Sequence, residues 1–276
     1  MPERGIAFAP GHLTAFFSVH YHDDPRRSGS RGAGIAISEG VTVEVVPGEG
    51  TELNGTPTTI DAVDRVLDSF DRPLAVSVST DLPLGMGFGI SGAAALATAL
   101  AADAALGCNR PRAELVSIAH VADVEAGTGL GDVVAQARGG ATIRVTPGAP
   151  PFGQVESIGT DGQIEYLPLG ALSTPDVLAG ATDELTRAGD ERVDTLTAHP
   201  SLEHLVDLGR SFDREVGLLD AELTSVLDAV ERVDGHACLG LLGRTIVALD
   251  DGLSAAGYEP SVTSVHPEGA AVLDSE

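Results

Sequence analysis

The chain has 276 residues and a formal net charge of −25, and its 16 basic residues are all arginine. Such a charge repels nucleic-acid phosphates and anionic membranes, so neither is expected as a bulk partner. Cys108 and Cys238 are the only cysteines, far apart and without a C-x-x-C pair, which argues against a disulfide framework or a thiolate metal site.

"GIAFAPGHLTAFFSV" (Gly5 to Val19) and "GAGIAISEGVTVEVVPG" (Gly32 to Gly48) read as strands, rich in apolar and β-branched residues and bounded by glycine and proline. Between them, His20 and His22 could share one strand face, although a polar loop suits the stretch better than a metal site. "TIDAVDRVLDSF" places Ile60, Val63, Val66, Leu67 and Phe70 at helical spacing. "PLAVSVST" is the next strand and delivers the chain to "PLGMGFGISGAAALATAL" (Pro83 to Leu100), whose second half is a helix predicted to stop near Gly107. "PRAELVSIAHVADVEA" is a further helix opened by Pro111, followed by "GTGLGDVVAQARGG" and the strand "ATIRVTP". Proline and glycine concentrate in "TPGAPPFGQV" (Thr146 to Val155), which suggests a linker and a division into residues 1–150 and 151–276. Beyond it the pattern predicts the strand "GQIEYLPLG", one long acidic helix over about 201–233, the apolar "HACLGLLGRTIVALDDG", and a strand-rich tail.

The glycine-rich segment carries the chemistry. Gly87, Gly89 and Gly92 satisfy G-x-G-x-x-G, yet "TDLPLG" separates strand from glycines and no acid-capped strand follows at the distance a dinucleotide fold requires. A Walker loop needs a lysine, which the chain lacks, and "GISGA" is not the G-x-S-x-G of a nucleophile elbow. What remains is a loop whose bare backbone lets N–H groups converge on an anion at a helix N-terminus, a setting suited to a polyphosphate. Ser91 either caps that helix or faces a phosphate-bound Mg²⁺.

"PLGMGFGISGAA" resembles the second motif of the GHMP kinase superfamily, P-x-G-x-G-L-G-S-S-A, with Phe88, Ile90 and Gly92 as departures. "FAPGHLTAFFSVH" resembles the first motif, with His12 where many members carry lysine or arginine, and "HACLGLLGRTIVAL" resembles a degenerate third. Through "PGHLTAFF", "DDPRRSGSRGAGIAI" and "GTGLGDVVAQARGG" the chain is most similar to the archaeal pantoate kinases. The resemblance implies an α+β fold in two domains, the first ribosomal-protein-S5-domain-2-like with a left-handed βαβ unit, the second ferredoxin-like. It also implies ATP-dependent phosphorylation of pantoate to 4-phosphopantoate, with Mg²⁺, on the way to coenzyme A.

Carried onto this chain, the resemblance makes Pro83, Gly85, Gly87, Gly89, Ile90, Ser91, Gly92 and Ala93 the ATP-binding segment. Asp132 becomes the base or orienter of the substrate hydroxyl, although it could also cap the helix it begins. Asp123, with Ser91, becomes the metal ligand, and Glu125 is its rival. Arg144 would clamp the pantoate carboxylate or the transferred phosphoryl, and its alternative is an exposed strand arginine. His12 would neutralise phosphate if protonated and only hydrogen-bond if neutral. Ser28, Ser30, Arg31 and Gly32 form the expected substrate loop, which could equally be a simple hairpin turn. Another small-molecule kinase acting on homoserine or a mevalonate-pathway alcohol, a non-catalytic nucleotide-binding relative, and a dinucleotide oxidoreductase stay as alternatives. The spread of acids without lysine suggests a cytoplasmic protein adapted to high salt, and the family suggests a homodimer.

Overall fold

The structure is a computed structural model that describes residues 3–159, 161–171 and 183–275. Its frame is a pair of long strands, β1 (Gly5–His20) and β2 (Gly29–Pro47), paired antiparallel from Gly5↔Val45 to His20↔Gly29. Over Ala9–Ser18 and Gly32–Ile37 both are buried on both faces because each face is covered, whereas the outer half of β2 alternates buried and partly exposed residues. Ala7, Ala9, Val41 and Val43 point into one core, and Leu13, Phe17, Ile35 and Ile37 into the other. "APGH" does not turn the chain, which passes through it in β1 with a register shift between Pro10 and Gly11.

Around this pair an eight-stranded sheet forms in the order β12-β1-β2-β5-β3-β4, with β6 on the other half of β2 and β7 on β6. Here β3 is Thr51–Leu53, β4 Thr56–Thr58, β5 Leu74–Ser79, β6 Ala141–Thr146, β7 Gln154–Gly159 and β12 Ala271–Ser275. β3 runs parallel to β5, joined to it through β4 and α1 (Asp61–Leu67). α2 (Ile90–Leu106), α3 (Arg112–Glu125) and α4 (Asp132–Arg138) complete the layer behind this sheet. α2 is buried nearly all round, and its alanines let it lie against the strands: a Cβ on Gly5 would collide with the Ala101 carbonyl. It stops where expected, at Gly107 in the left-handed region.

The second layer contains β8 (Gln163–Pro168), α5 (Asp183–Ala198), α6 (Leu202–Glu215), α7 (Ala221–Glu231), β9 (Ala237–Gly240), β10 (Thr245–Leu249), α8 (Gly252–Ala255) and β11 (Ser261–Ser264). Its four-stranded antiparallel sheet has the order β11-β8-β10-β9, the arrangement of a ferredoxin-like β-α-β-β-α-β unit with extra helices. The expected α+β architecture is therefore present.

Three features differ from the sequence expectations. The long helix over 201–233 is two helices, because Gly217 adopts φ 71° and Asp220 starts the next one by accepting the Leu223 N–H. α5 had no counterpart in the sequence reading. The proline- and glycine-rich segment does not part the two sheets: β7, beyond it, pairs with β6, and the C-terminal β12 returns to the edge of β1.

Candidate active site

The glycine-rich loop is launched by a clamp. Thr80 and Asn54 exchange hydrogen bonds of 3.0 Å, and the Thr80 hydroxyl donates to the Gly40 carbonyl. From there the chain passes through Gly85, Gly87 and Gly89 at φ 73°, 89° and 64°, conformations that favour glycine. Gly89 is the N-cap of α2 in the left-handed region. The Ala93 N–H bonds back to the Gly89 carbonyl at 3.0 Å, so those of Ile90, Ser91 and Gly92 have no intrahelical acceptor. Ser91, in the first turn, does not cap the helix.

This loop walls a cavity of about 170 Å³ that Thr14, Thr128, Asp132, Leu241 and Leu242 complete. The last two belong to the β9–β10 turn, the third motif-like segment. Thr245 Oγ1 donates to the Met86 carbonyl at 2.7 Å, and a Cβ on Gly243 would collide with that carbonyl. A smaller cavity of about 20 Å³ adjoins, lined by Phe17, Ser30, Gly129–Gly131 and Arg144, and it shares Thr14, Asp132 and Leu242 with the first.

Asp132 therefore stands where two cavities meet. As the first residue of α4 it does not cap the helix through its side chain. Its Oδ1 instead lies 2.7 Å from His12 Nδ1 and 3.3 Å from Thr14 Oγ1. Burial pushes its pKa up, but the His12 hydrogen bond and the nearby His12 and Arg144 hold it below the ordinary value. Burial lowers the pKa of His12 despite Asp132. A neutral imidazole facing a carboxylate must carry its proton on Nδ1, and its Nε2 is buried without a partner. Arg144 is 2% exposed, with Nε and Nη1 unpartnered, and burial lowers its pKa. Space for its side chain comes from two glycines, since a Cβ on Gly131 would meet Nε at 2.6 Å and one on Gly32 would meet Nη2 at 2.8 Å.

Asp123, near the end of α3, is 2% exposed. Its Oδ1 accepts the Thr128 hydroxyl at 2.7 Å and the Ser91 hydroxyl at 3.1 Å, and a Cβ on Gly129 would collide with its Oδ2. Burial raises its pKa to about 7, because two hydroxyl donors do not replace lost water. Such a set of hard oxygens fits Mg²⁺, which takes one or two protein ligands and completes its shell with phosphates and water. Among the described residues no group of three His, Cys, Asp or Glu forms a fuller cage. Glu125, the rival ligand, is exposed and pairs with Arg65.

The expected substrate segment divides. Ser30 lines the smaller cavity, whereas Ser28 bonds to the His22 backbone. Arg31 turns to Asp190 and Asp194 of α5 and to the Val145 carbonyl. Asp190 also accepts from Ser18 and lies 3.2 Å from His20, while His22 Nδ1 accepts the Asp24 N–H, so the two histidines take separate partners. Pro83 is half-buried and does not line the larger cavity, and Ala93 belongs to the alanine core. Sequence reasoning missed Thr14, Thr128 and Gln136. Thr14 stands two residues after His12 and Thr128 four before Asp132, and that proximity to motif residues was the available signal.

A glycine-walled helix N-terminus beside the buried carboxyl of Asp123 and the partly buried one of Asp132 suits a phosphotransferase type of site on an α+β frame. The family model for the GHMP kinases N terminal domain matches residues 58–140. A pantoate kinase of Methanocaldococcus jannaschii is 33% identical over 88% of this chain and 91% of its own length. One of Thermococcus kodakarensis is 34% identical over 88% and 86%. Among solved structures, a phosphotransferase related to the coenzyme A biosynthesis pathway superposes with a TM-score of 0.85 at 28% identity, covering 98% of both chains. The chain belongs to the GHMP kinase family, in the branch that holds these pantoate kinases.

Proposed function

We propose that this enzyme transfers the γ-phosphoryl group of ATP to the 4-hydroxyl of pantoate, making 4-phosphopantoate for coenzyme A synthesis. The observation that carries the reading is the position of Asp132 between a glycine-walled cavity and one that ends on the unpartnered guanidinium of Arg144. Pantoate has the two groups such a pair of cavities asks for, a carboxylate for Arg144 and an alcohol for Asp132. The match to named pantoate kinases over most of the chain supports the same acceptor.

Phosphoryl transfer needs alignment and charge neutralisation more than covalent chemistry. The N–H groups of the first turn of α2, with its positive dipole end, receive the ATP phosphates. Asp132, kept ionised by His12 and Thr14, accepts the proton of the attacking hydroxyl or orients it. His12 is neutral and acts by holding Asp132, so the positive charge beside the acceptor is that of Arg144. Ser91 and Asp123 would hold Mg²⁺, which neutralises charge on the phosphates when bound. Phe88 and Leu242 give the cavity an apolar wall.

The acidic, lysine-free composition supports work in a salt-rich cytoplasm, and among the described residues no helix is long and apolar enough to cross a membrane. We expect a homodimer, which sedimentation in high salt would test. The decisive assay is nucleoside diphosphate release with Mg-ATP and pantoate, with homoserine and mevalonate as parallel acceptors. Turnover with pantoate alone is expected. Turnover with homoserine or mevalonate but not pantoate would move the chain to another acceptor.

A further inference from the structure

We propose that Gln136 is a positioning residue that ties the nucleotide loop to the helix carrying Asp132. The inference rests on the ATP-binding reading of the glycine loop. Gln136 lies on α4 one turn after Asp132, at i, i+4, and therefore on the same face of the helix. It is fully buried, and its Nε2 donates to the Gly89 carbonyl at 2.9 Å. That carbonyl belongs to the left-handed residue where loop becomes helix, and it also receives the Ala93 N–H. One side chain thus fixes the orientation of the Gly89–Ile90 peptide, which carries the free Ile90 N–H and precedes that of Ser91. It does so from the helix that orients the acceptor, so donor and acceptor halves are held in one frame.

Its other end makes the residue expensive to keep. Oε1 is buried with no partner, beside Gly92, where a Cβ would lie 3.1 Å away. An unpaired buried acceptor costs stability that an apolar side chain of the same length would not. The amide cannot be turned round, because Gly89 offers only an acceptor. A group retained at a cost to the fold, on a backbone atom of the binding loop, points to a role in binding. The main chain of α4 is anchored independently, by the Ala270 N–H donated to the Gln136 carbonyl at 2.9 Å, so changing the side chain leaves the helix in place.

Gln136→Met and Gln136→Glu test this on the full chain, with calorimetric ATP binding, steady-state kinetics and thermal melts. For Gln136→Met, Kd and KM for ATP should rise about fivefold to tenfold, the effect of one lost hydrogen bond. KM for pantoate should stay within about twofold and the melting temperature should not fall. For Gln136→Glu, only the protonated carboxyl can donate to Gly89, so kcat/KM for ATP should show an added ionisation, with recovery as pH falls. Neither the wild type nor the Met variant should show it. If the wild type binds ATP and the Met variant binds it equally well, the positioning role is overturned. It is also overturned if the Met variant melts earlier and loses both substrates alike. A wild type that binds no ATP overturns the reading of the loop itself and, with it, the role of Gln136.

Discussion

The two layers treat buried polar groups in opposite ways. In the second layer most buried charges are matched: Arg192 donates to Glu215, Ser211 and two carbonyls, Arg210 pairs with Asp228 and Glu231 through Nη2 although its Nε has no partner, and Glu165 caps α8 through Leu253 and Ser254. In the first layer Arg144 Nε and Nη1 are buried without partners at the smaller cavity, and His12 Nε2 and Gln136 Oε1 are buried without partners on side chains that hold the cavity-lining Asp132 and Gly89 from behind. Polar groups that fold a protein are satisfied within it, while groups that meet a ligand are left open and cost stability until it arrives. The composition of the cores follows the same division. Alanine lets α2 sit close to the strands and deliver its N-terminus to the site, whereas leucine, valine and phenylalanine are prominent in the core of the second layer, where Gly189 gives α5 its close approach to β1.

The largest test of this contrast is Asp132→Asn. An amide cannot take a proton, so kcat should fall by about 10²–10⁴-fold while the melting temperature holds. Next comes Arg144→Ala, which should raise the pantoate KM by about 10–100-fold through loss of a charge-assisted contact, with ATP binding retained. Gly243→Ala probes the contact between layers. Its Cβ would strike the Met86 carbonyl, and a cost of about 1–3 kcal/mol should appear as earlier melting together with weaker ATP binding.

A smaller effect should come from Asp213, the carboxyl in the second layer that breaks its rule. It is fully buried and accepts the Leu239 N–H on one oxygen only, and burial raises its pKa well above the ordinary value. With the folded pKa above the unfolded one, its contribution is complete below about pH 4 and is lost as pH rises towards the folded value. Asp213→Asn should therefore stabilise the protein by roughly 1–3 kcal/mol at neutral pH, with a gain that shrinks as pH falls towards 4. Denaturant melts of both proteins across that range check the sign. Smallest of all, Glu125→Gln should leave Mg²⁺ dependence unchanged and shift stability by no more than about 0.5 kcal/mol, because it removes one exposed ion pair.

Much of this molecule was legible in the chain. The strands around β1 and β2, the end of α2 at Gly107, and the convergence of glycines on a helix N-terminus follow from local rules of backbone freedom and periodicity. So does the exclusion of Walker and dinucleotide loops, because a missing lysine or a missing acid-capped strand is a property of the sequence. The break at Gly217 and Asp220 was also present there as a stop followed by a cap, but the continuous acidic pattern concealed it. Other assignments depended on packing between distant segments. Asp123 and Glu125 are two residues apart and chemically alike, and only the packing of α3 buries one beside Ser91 and leaves the other beside Arg65. Arg31 and Arg144 sit opposite each other's neighbours on paired strands, with Gly32 facing Arg144, and α5 decides that Arg31 is neutralised while Arg144 is left open. Sequence determines which groups are available and what the local backbone can do. Burial and partnership, which set the charge and reach of each group, arise from contacts more than a hundred residues apart, as between His12 and Asp132, and those the tertiary structure alone decides.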